Sequence, residues 1–351
     1  MLESIVLHDF RCFAQAGFHP AAGLNLLSAP NASGKSSMLE AICVLLRLQS
    51  PRAGSLGETV RRGTAGFSLR GRLGQRELVC HYSSAEGRRL VLDDVAQRKS
   101  DEYLANGLVA FFSNEDIELV RGTSSKRRRF LDFLGSQCDA GYLKHLRAYE
   151  RALRSRNFLL KEGPHRGREL VAYDGPLIAA GKYLADVRAV LSRELEPLVA
   201  KFVRQISPRG EATAVRHERS GGVDLGAALA ASAAEERRLR QTVVGPHRDD
   251  VALELDGAAA STFASEGQQR TLTLALRLAQ AELIGTRRGS PPVYLLDDIF
   301  GELDTERRRR LLAALPADSQ RILTTTTWQW LEDGGEAAHW TIADGAIRAG
   351  A

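Results

Sequence analysis

Leu24-Asn25-Leu26-Leu27 reads as a short buried strand, and it runs straight into Ser28-Ala29-Pro30-Asn31-Ala32-Ser33-Gly34-Lys35-Ser36-Ser37. Leu39, Ile42, Cys43 and Leu46 then recur at helical spacing. Strand, small-residue loop and helix in that order are the context a phosphate-binding loop requires, and they place the chain in the α/β class. Backbone amides of such a loop, with the helix N-terminus behind them, cradle phosphate oxygens. Lys35 brings a point charge to the outer phosphates and Ser36 a hydroxyl for Mg²⁺. The expected nucleotide contacts are therefore Pro30, Asn31, Ala32, Ser33, Gly34, Lys35, Ser36 and Ser37. The usual pattern is GxxxxGK[ST], and Ser28-Ala29 stands at the loop entrance where its first glycine would be. If that position needs left-handed backbone, serine takes it only at a cost.

A second segment completes the chemistry. Val293-Tyr294-Leu295-Leu296 is an apolar strand that ends in Asp297-Asp298. One carboxylate at the end of such a strand, Asp297, can hold Mg²⁺, and a second, Asp298, can orient or deprotonate the attacking water. An acidic turn after a buried strand is common and by itself says little. Paired with Lys35 it says more, because Mg²⁺–nucleotide chemistry needs both halves. Lys35 and Asp298 are thus the expected catalytic pair, and Ser36 and Asp297 the expected metal ligands.

Between these segments the texture changes. Strand-like alternation through Phe67–Leu92 and a buried run at Leu108–Phe112 give way near Thr123 to helical, arginine-rich sequence that lasts to about Arg240. Leu184, Val187, Leu191, Leu195, Leu198 and Phe202 form a helical seam, which Pro197 should kink. Glu162 to Gly167 links two helices expected to fold back on each other. Strand patterns return at Val251, Leu253 and Leu255, with Asp256-Gly257 as a hairpin turn. The expected division is a head from 1–123 plus 241–351 and a helical, short coiled-coil-like lobe from 124–240.

Composition excludes several classes. No apolar run is long enough to span a membrane, and Met1-Leu2-Glu3-Ser4 does not begin a signal peptide. The four cysteines are widely spaced, which suits reduced thiols in a cytoplasmic protein. A net charge of +5 permits an anionic partner without requiring one.

Ala264-Ser265-Glu266-Gly267-Gln268-Gln269-Arg270 opens a long helix and satisfies the capping box S-x-x-Q. A glycine in that first turn costs about 1 kcal/mol relative to alanine. Gly267 makes sense where a bulky anion approaches the backbone. With Lys35 and Asp297 it suggests two surfaces meeting on one phosphate. Together these segments resemble the Walker A, signature and Walker B motifs of ABC-type ATPases, and Phe300-Gly301-Glu302-Leu303-Asp304 resembles their D-loop. Pro30–Ser36, Lys126-Arg127-Arg128-Arg129-Phe130-Leu131-Asp132, Gly245-Pro246-His247-Arg248-Asp249-Asp250 and Ser265–Arg270 together resemble a narrower group, the RecF family of bacterial recombination mediators, relatives of the SMC proteins. The Gly245–Asp250 run carries most of that specificity.

The resemblance implies an ABC-type ATPase head, a P-loop fold of mixed sheets with helices, built from both ends of the chain around a helical lobe. It implies ATP and Mg²⁺ as cofactors. ATP would lie between Lys35 of one subunit and Ser265, Gly267 and Gln268 of another. It also implies an ATP-dependent homodimer that clamps duplex DNA or single/double-strand junctions. Slow, DNA-stimulated hydrolysis would release the DNA, and RecO and RecR would help RecA load. Ser113-Asn114-Glu115-Asp116 is the best candidate for the Q-loop, and Thr324 to Thr327 occupies the switch region. Lys126, Arg127, Arg128 and Arg129 are either DNA contacts or supports for the lobe. Arg307 to Arg310 reads as a solvated face. His247 reads as a structural hydrogen-bonding residue near a dimer interface, and Trp328 and Trp330 as packing residues. Two rivals share the motifs. A transporter's ATPase subunit would not need the arginine-rich lobe, and a DNA-binding scaffold with a degenerate ATP site would not need Lys35, Asp297 and Asp298 intact.

Overall fold

In the computed structural model the residues described are 1–163, 167–207, 209–326, 337–343 and 345–350. They form two compact units, Met1–Glu115 with Ile284–Ala351, and Asp116–Leu283. This division falls elsewhere than 1–123 plus 241–351. One reason is that the strand Asp250–Leu255 pairs antiparallel with Thr213–Glu218, which ties residues beyond 241 to the inserted part. That second strand lies inside the stretch expected to be helical.

The first unit holds two six-stranded sheets. One is antiparallel, in the order Phe13–Phe18, Leu2–Phe10, Gly66–Leu73, Arg76–Ser83, Gly87–Leu92, Val95–Gln97. The other runs Ala346–Ala349, Ala337–Ala343, Leu24–Ser28, Arg321–Thr325, Val293–Asp297, Val109–Ser113. Apart from the antiparallel strand Ala346–Ala349, all its strands are parallel. Central parallel strands are covered on both faces and read as continuous apolar runs. Leu26, Leu27, Leu295, Leu296, Ile322 and Leu323 are all fully buried. The helix Lys35–Arg47 touches strands of both sheets and is buried all round from Met38 to Arg47. A helix apolar on every side has no other stable place. Arg47 is tolerated there because its guanidinium donates to the Leu104 and Gly107 carbonyls, each at 2.9 Å.

The second unit contains the helices Ser124–Cys138, Tyr142–Glu162 and Gly167–Ile206, the last running through both Pro176 and Pro197. The helix thus continues past the residue expected to kink it. Tyr142–Glu162 and Gly167–Ile206 pack together around Tyr142, Tyr149, Leu177 and Leu184. Residues 164–166 of the link between them lie outside the described residues. A short antiparallel sheet follows, with Asp256 and Gly257 at φ 50° and 78°. Both values are positive, as a type I′ hairpin turn demands. The helix Glu266–Arg288 starts in this unit. Among the described residues all four cysteines are free, and no helix is long and apolar enough to cross a membrane.

Candidate functional site

In the parallel sheet Asp297 pairs with Thr324 on one side and Ser113 on the other, and Ser28 pairs with Thr325. Parallel strands end on one edge, and that edge is where α/β sheets bind ligands. The side chains converge there. Ser36 Oγ donates to Asp297 Oδ1 at 2.8 Å, and Thr324 Oγ1 donates to the same oxygen at 2.9 Å. The Thr324 hydroxyl also accepts from the Asp298 amide at 2.9 Å. Asn114 Nδ2 donates to the Asp298 carbonyl at 3.1 Å. These two bonds hold Asp298 at φ 52°, a left-handed position that a non-glycine residue keeps only where its surroundings enforce it.

Electrostatics sharpen the pair. Burial raises the Asp298 pKa; Lys35 opposes the rise, while Asp297 and Glu302 add to it. Burial lowers the Lys35 pKa against the pull of Asp298 and Asp297. Lys35 Nζ donates to the Ala29 and Pro30 carbonyls at 2.5 and 2.9 Å, so the lysine spans its own loop. Two loop residues have positive φ, Ala32 at 64° and Gly34 at 106°. Alternation of this kind turns successive amides toward one anion. A Cβ on Gly34 would stand 2.6 Å from Phe13 Cζ and 2.9 Å from Cys12 Sγ. Ser33 Oγ is buried with no hydrogen-bond partner among the described residues, a vacancy a phosphate oxygen would fill.

Ser28 corrects the expectation of strain at the loop entrance. It is the last residue of the strand Leu24–Ser28, paired with Thr325 and Thr341, and it is not among the positive-φ residues. Extended backbone suits serine, and Ala29, which lies six positions before Lys35 and so holds the place of the pattern's first glycine, is not among the positive-φ residues either. The donor set also suits Mg²⁺, which usually takes one or two carboxylates and fills its shell with water and substrate phosphates. Ser36 and Asp297 supply that much. No cluster of three His, Cys, Asp or Glu residues that could cage a metal exists among the described residues.

The second unit carries the other expected contacts. Gln268 N donates to Ser265 Oγ at 3.4 Å, and the Gln268 side chain accepts from Ser265 N at 2.8 Å, so the capping box forms. Ser265 is exposed and Gly267 half-buried. Gln269, unlike its neighbours, is buried and donates to the Ala260 and Ala264 carbonyls at 3.1 and 3.0 Å.

The Gly245–Asp250 run is structural. Gly245 has φ 120°, and a Cβ there would stand 2.6 Å from Tyr149 Oη. Tyr149 Oη lies 2.7 Å from His247 Nδ1, and His247 Nε2 lies 3.0 Å from the Thr242 carbonyl. The carbonyl can only accept, so Nε2 carries the proton and Nδ1 accepts from the tyrosine. Asp249, 1% exposed, accepts from His217 and from Ser220 N, each at 2.9 Å, and from Arg188 at 3.3 Å. Arg188, also buried, reaches Pro246 O, Tyr142 Oη and Asp132 as well.

The same run splits the basic segment before it. Arg127 is bidentate to Asp250 at 2.7 and 3.0 Å, and Arg128 donates to the Asp249 carbonyl at 2.7 Å. Their guanidiniums are taken up inside the unit, which leaves Lys126 and Arg129 as the exposed members. Asp304 caps the helix Thr305–Ala314 by accepting from Arg307 N at 2.9 Å, and Glu306 pairs with Arg309 and Arg310. Of Arg307–Arg310, read as a solvated face, Arg309 is exposed while Arg307, Arg308 and Arg310 are half-buried. Thr327, Trp328 and Trp330 lie outside the described residues. Three contacts escaped the linear reading: that of Asn114, itself within the candidate Q-loop, on Asp298, those of the hub Arg188, and that of Arg11, whose bidentate pair with fully buried Glu40 measures 2.7 and 2.8 Å. Their partners lie 29 to 184 positions away, beyond any local pattern.

Known proteins share this architecture. The RecF/RecN/SMC N-terminal domain family matches residues 1–347. The DNA replication and repair protein RecF of Symbiobacterium thermophilum is 36% identical over 341 residues, covering 93% of this chain and 91% of that protein. RecF of Synechococcus sp. is 35% identical over 345 residues, again covering 93% and 91%. The structure described as the recombination mediator protein RecF-ATPrS in the RecFOR pathway superposes with a TM-score of 0.91 at 29% identity, covering 100% of this chain and 98% of that one. An SMC head bound to the C-terminal winged-helix domain of ScpA superposes at 0.58 with 14% identity, covering 99% and 96%, a likeness of fold. The loop at Lys35, the acidic strand end at Asp297, the capped glycine turn at Ser265 and these likenesses agree, and the chain belongs to the RecF family, within the RecF/RecN/SMC N-terminal domain proteins.

Proposed function

We propose that this protein is an ATP-driven DNA clamp of recombinational repair. The observation that carries the reading is the convergence of the Ser36 and Thr324 hydroxyls on one oxygen of Asp297, beside Asp298 and under the loop that Lys35 spans. That arrangement suits a nucleoside triphosphate. Lys35 exchanges the Ala29 and Pro30 carbonyls for phosphate oxygens. Ser36 and Asp297 hold Mg²⁺, which supplies charge neutralisation on the phosphates when bound. Asp298 orients the attacking water and takes its proton. Thr324, bonded to the Asp297 carboxylate and the Asp298 amide, holds that carboxylate in register with the Asp298 backbone. On this reading 1–123 and 241–351 act on nucleotide, and 124–240 is the lobe.

The helix N-terminus at exposed Ser265 and half-buried Gly267 and Gln268 is suited to an anion such as the phosphate of a nucleotide. A second copy of the chain provides one, so ATP binding drives homodimerisation. The dimer closes on duplex DNA or a single/double-strand junction, slow DNA-stimulated hydrolysis reopens it, and RecO and RecR act with it to load RecA. The RecF-ATP structure of the RecFOR pathway, with a TM-score of 0.89 over 100% of this chain, supports ATP as the ligand. Light scattering of the pure protein with and without ATP, repeated with DNA, tests the reading. The mass should double with ATP, and DNA should join the doubled species. A monomer under every condition overturns it.

A further inference from the structure

The helix Tyr142–Glu162 buries one side against the lobe and turns a cationic side outward. Tyr149, Ala152, Arg156 and Leu159 lie on the buried side. Lys144, Arg147, Arg151, Arg154, Phe158 and Lys161 are all exposed. Their intervals are three, four, three, four and three residues, the spacing of a single straight stripe. The stripe spans about 25 Å at 1.5 Å per residue, with charges about one 5.4 Å turn apart. Acids barely dilute it: Glu150 lies at its margin, 3.9 Å from Arg154, and Glu162 at its end. Phe158 is 61% exposed, among the most exposed large apolar side chains described, and it interrupts the cations near the helix end.

A stripe of cations without an aromatic suits any polyanion. Evenly spaced cations with an exposed aromatic ring among them suit a particular one. Bases of a duplex are already stacked on each other, whereas a single strand offers free faces to an aromatic platform while its phosphates follow the charges. We infer that the outer face of Tyr142–Glu162 is a binding site for single-stranded DNA, taking the strand that leaves the duplex at a junction. The inference rests on the DNA-clamp reading and adds to it which arm of the junction the lobe holds. No contiguous basic run marks this helix. The charges recur by helical period, so in the linear sequence they are scattered among apolar residues.

The test uses the full-length protein with ATP, a blunt fluorescent duplex, and the same duplex with a single-stranded tail. Phe158→Ala should weaken binding of the tailed duplex roughly five- to hundred-fold, the range expected for loss of one stacked base, and leave the blunt duplex unchanged. Arg151→Ala with Arg154→Ala should reduce the salt slope for the tailed duplex by about 1.4, at roughly 0.7 per lost contact on a single strand. All three positions are exposed, so the fold should survive, and unchanged thermal unfolding checks that. Equal losses on blunt and tailed duplexes, or no loss on either, overturn the inference while the clamp reading stands. Failure of the unmodified protein to bind either duplex overturns both.

Discussion

Two residues show how local geometry sets function here. Gly34 sits at φ 106°, and a β-carbon there would stand 2.6 Å from Phe13 Cζ and 2.9 Å from Cys12 Sγ. Gly34→Ala should therefore lose nucleotide binding and cost at least about 1 kcal/mol through left-handed strain alone. Thermal unfolding without nucleotide, and ATP titration beside it, measure the two effects. His247 shows a different constraint. Burial first, then Arg248 and Arg128, lower its pKa to about 4, against 6.5 for an ordinary histidine. Burial thus keeps it neutral in the folded state, the form in which Nδ1 accepts from Tyr149. The unfolded chain therefore takes up a proton first as pH falls. Stability from this residue is intact above about pH 6.5 and declines toward pH 4, by on the order of 2 kcal/mol. Urea unfolding at pH 7 and pH 4.5 should show a smaller pH difference for His247→Gln than for the unmodified protein. An equal difference would remove His247 as the cause.

Elements carry the next level. The helix that opens at Glu266 needs Ser265 twice, once as a cap and, on the proposed reading, once as a surface for a second copy. Ser265→Arg should leave one chain binding ATP, since the phosphate loop lies in the other unit, and should prevent ATP-dependent doubling of mass. Sizing chromatography with ATP reads this directly, and a persisting dimer would rule out Ser265 as part of the shared site. Much at this scale was readable in the sequence. The strand at Leu24, the loop, the helix after it, the strand ending at Asp297 and the I′ turn at Asp256-Gly257 each carry a strong local signal, either apolar periodicity or turn chemistry. Thr213–Glu218 and Ala337–Ala343 do not. The first mixes polar and apolar residues, and its pairing with Asp250–Leu255 fixes it as a strand. The second is held as an inner strand by Leu24–Ser28 rather than by its own composition.

At the scale of the molecule, the proposed cycle predicts one trapped state. Asp298→Asn keeps the shape of the side chain and removes its ability to take a proton. It should bind ATP, dimerise and hold DNA, with turnover reduced on the order of a hundredfold or more. Phosphate release and light scattering on the same sample check both halves. Unchanged turnover would take the role away from Asp298. The contacts that make this possible span the chain: Ser36 meets Asp297 across 261 positions, and Asn114 meets Asp298 across 184.

Sequence alone marked the phosphate loop, the acidic strand end and the capped glycine turn, because each depends on a few adjacent residues whose types and order are read directly. It also settled the family, through the Gly245–Asp250 run. Tertiary structure decided the rest. Ser28 lies in a strand, so it bears no strain. Arg127 and Arg128 are drawn inward by Asp250 and the Asp249 carbonyl, while Lys126 and Arg129 stay outside. Thr324 bridges two aspartates. Such outcomes depend on which distant groups become neighbours, and burial makes those neighbours matter, since an unpaired charge or hydroxyl away from water is costly.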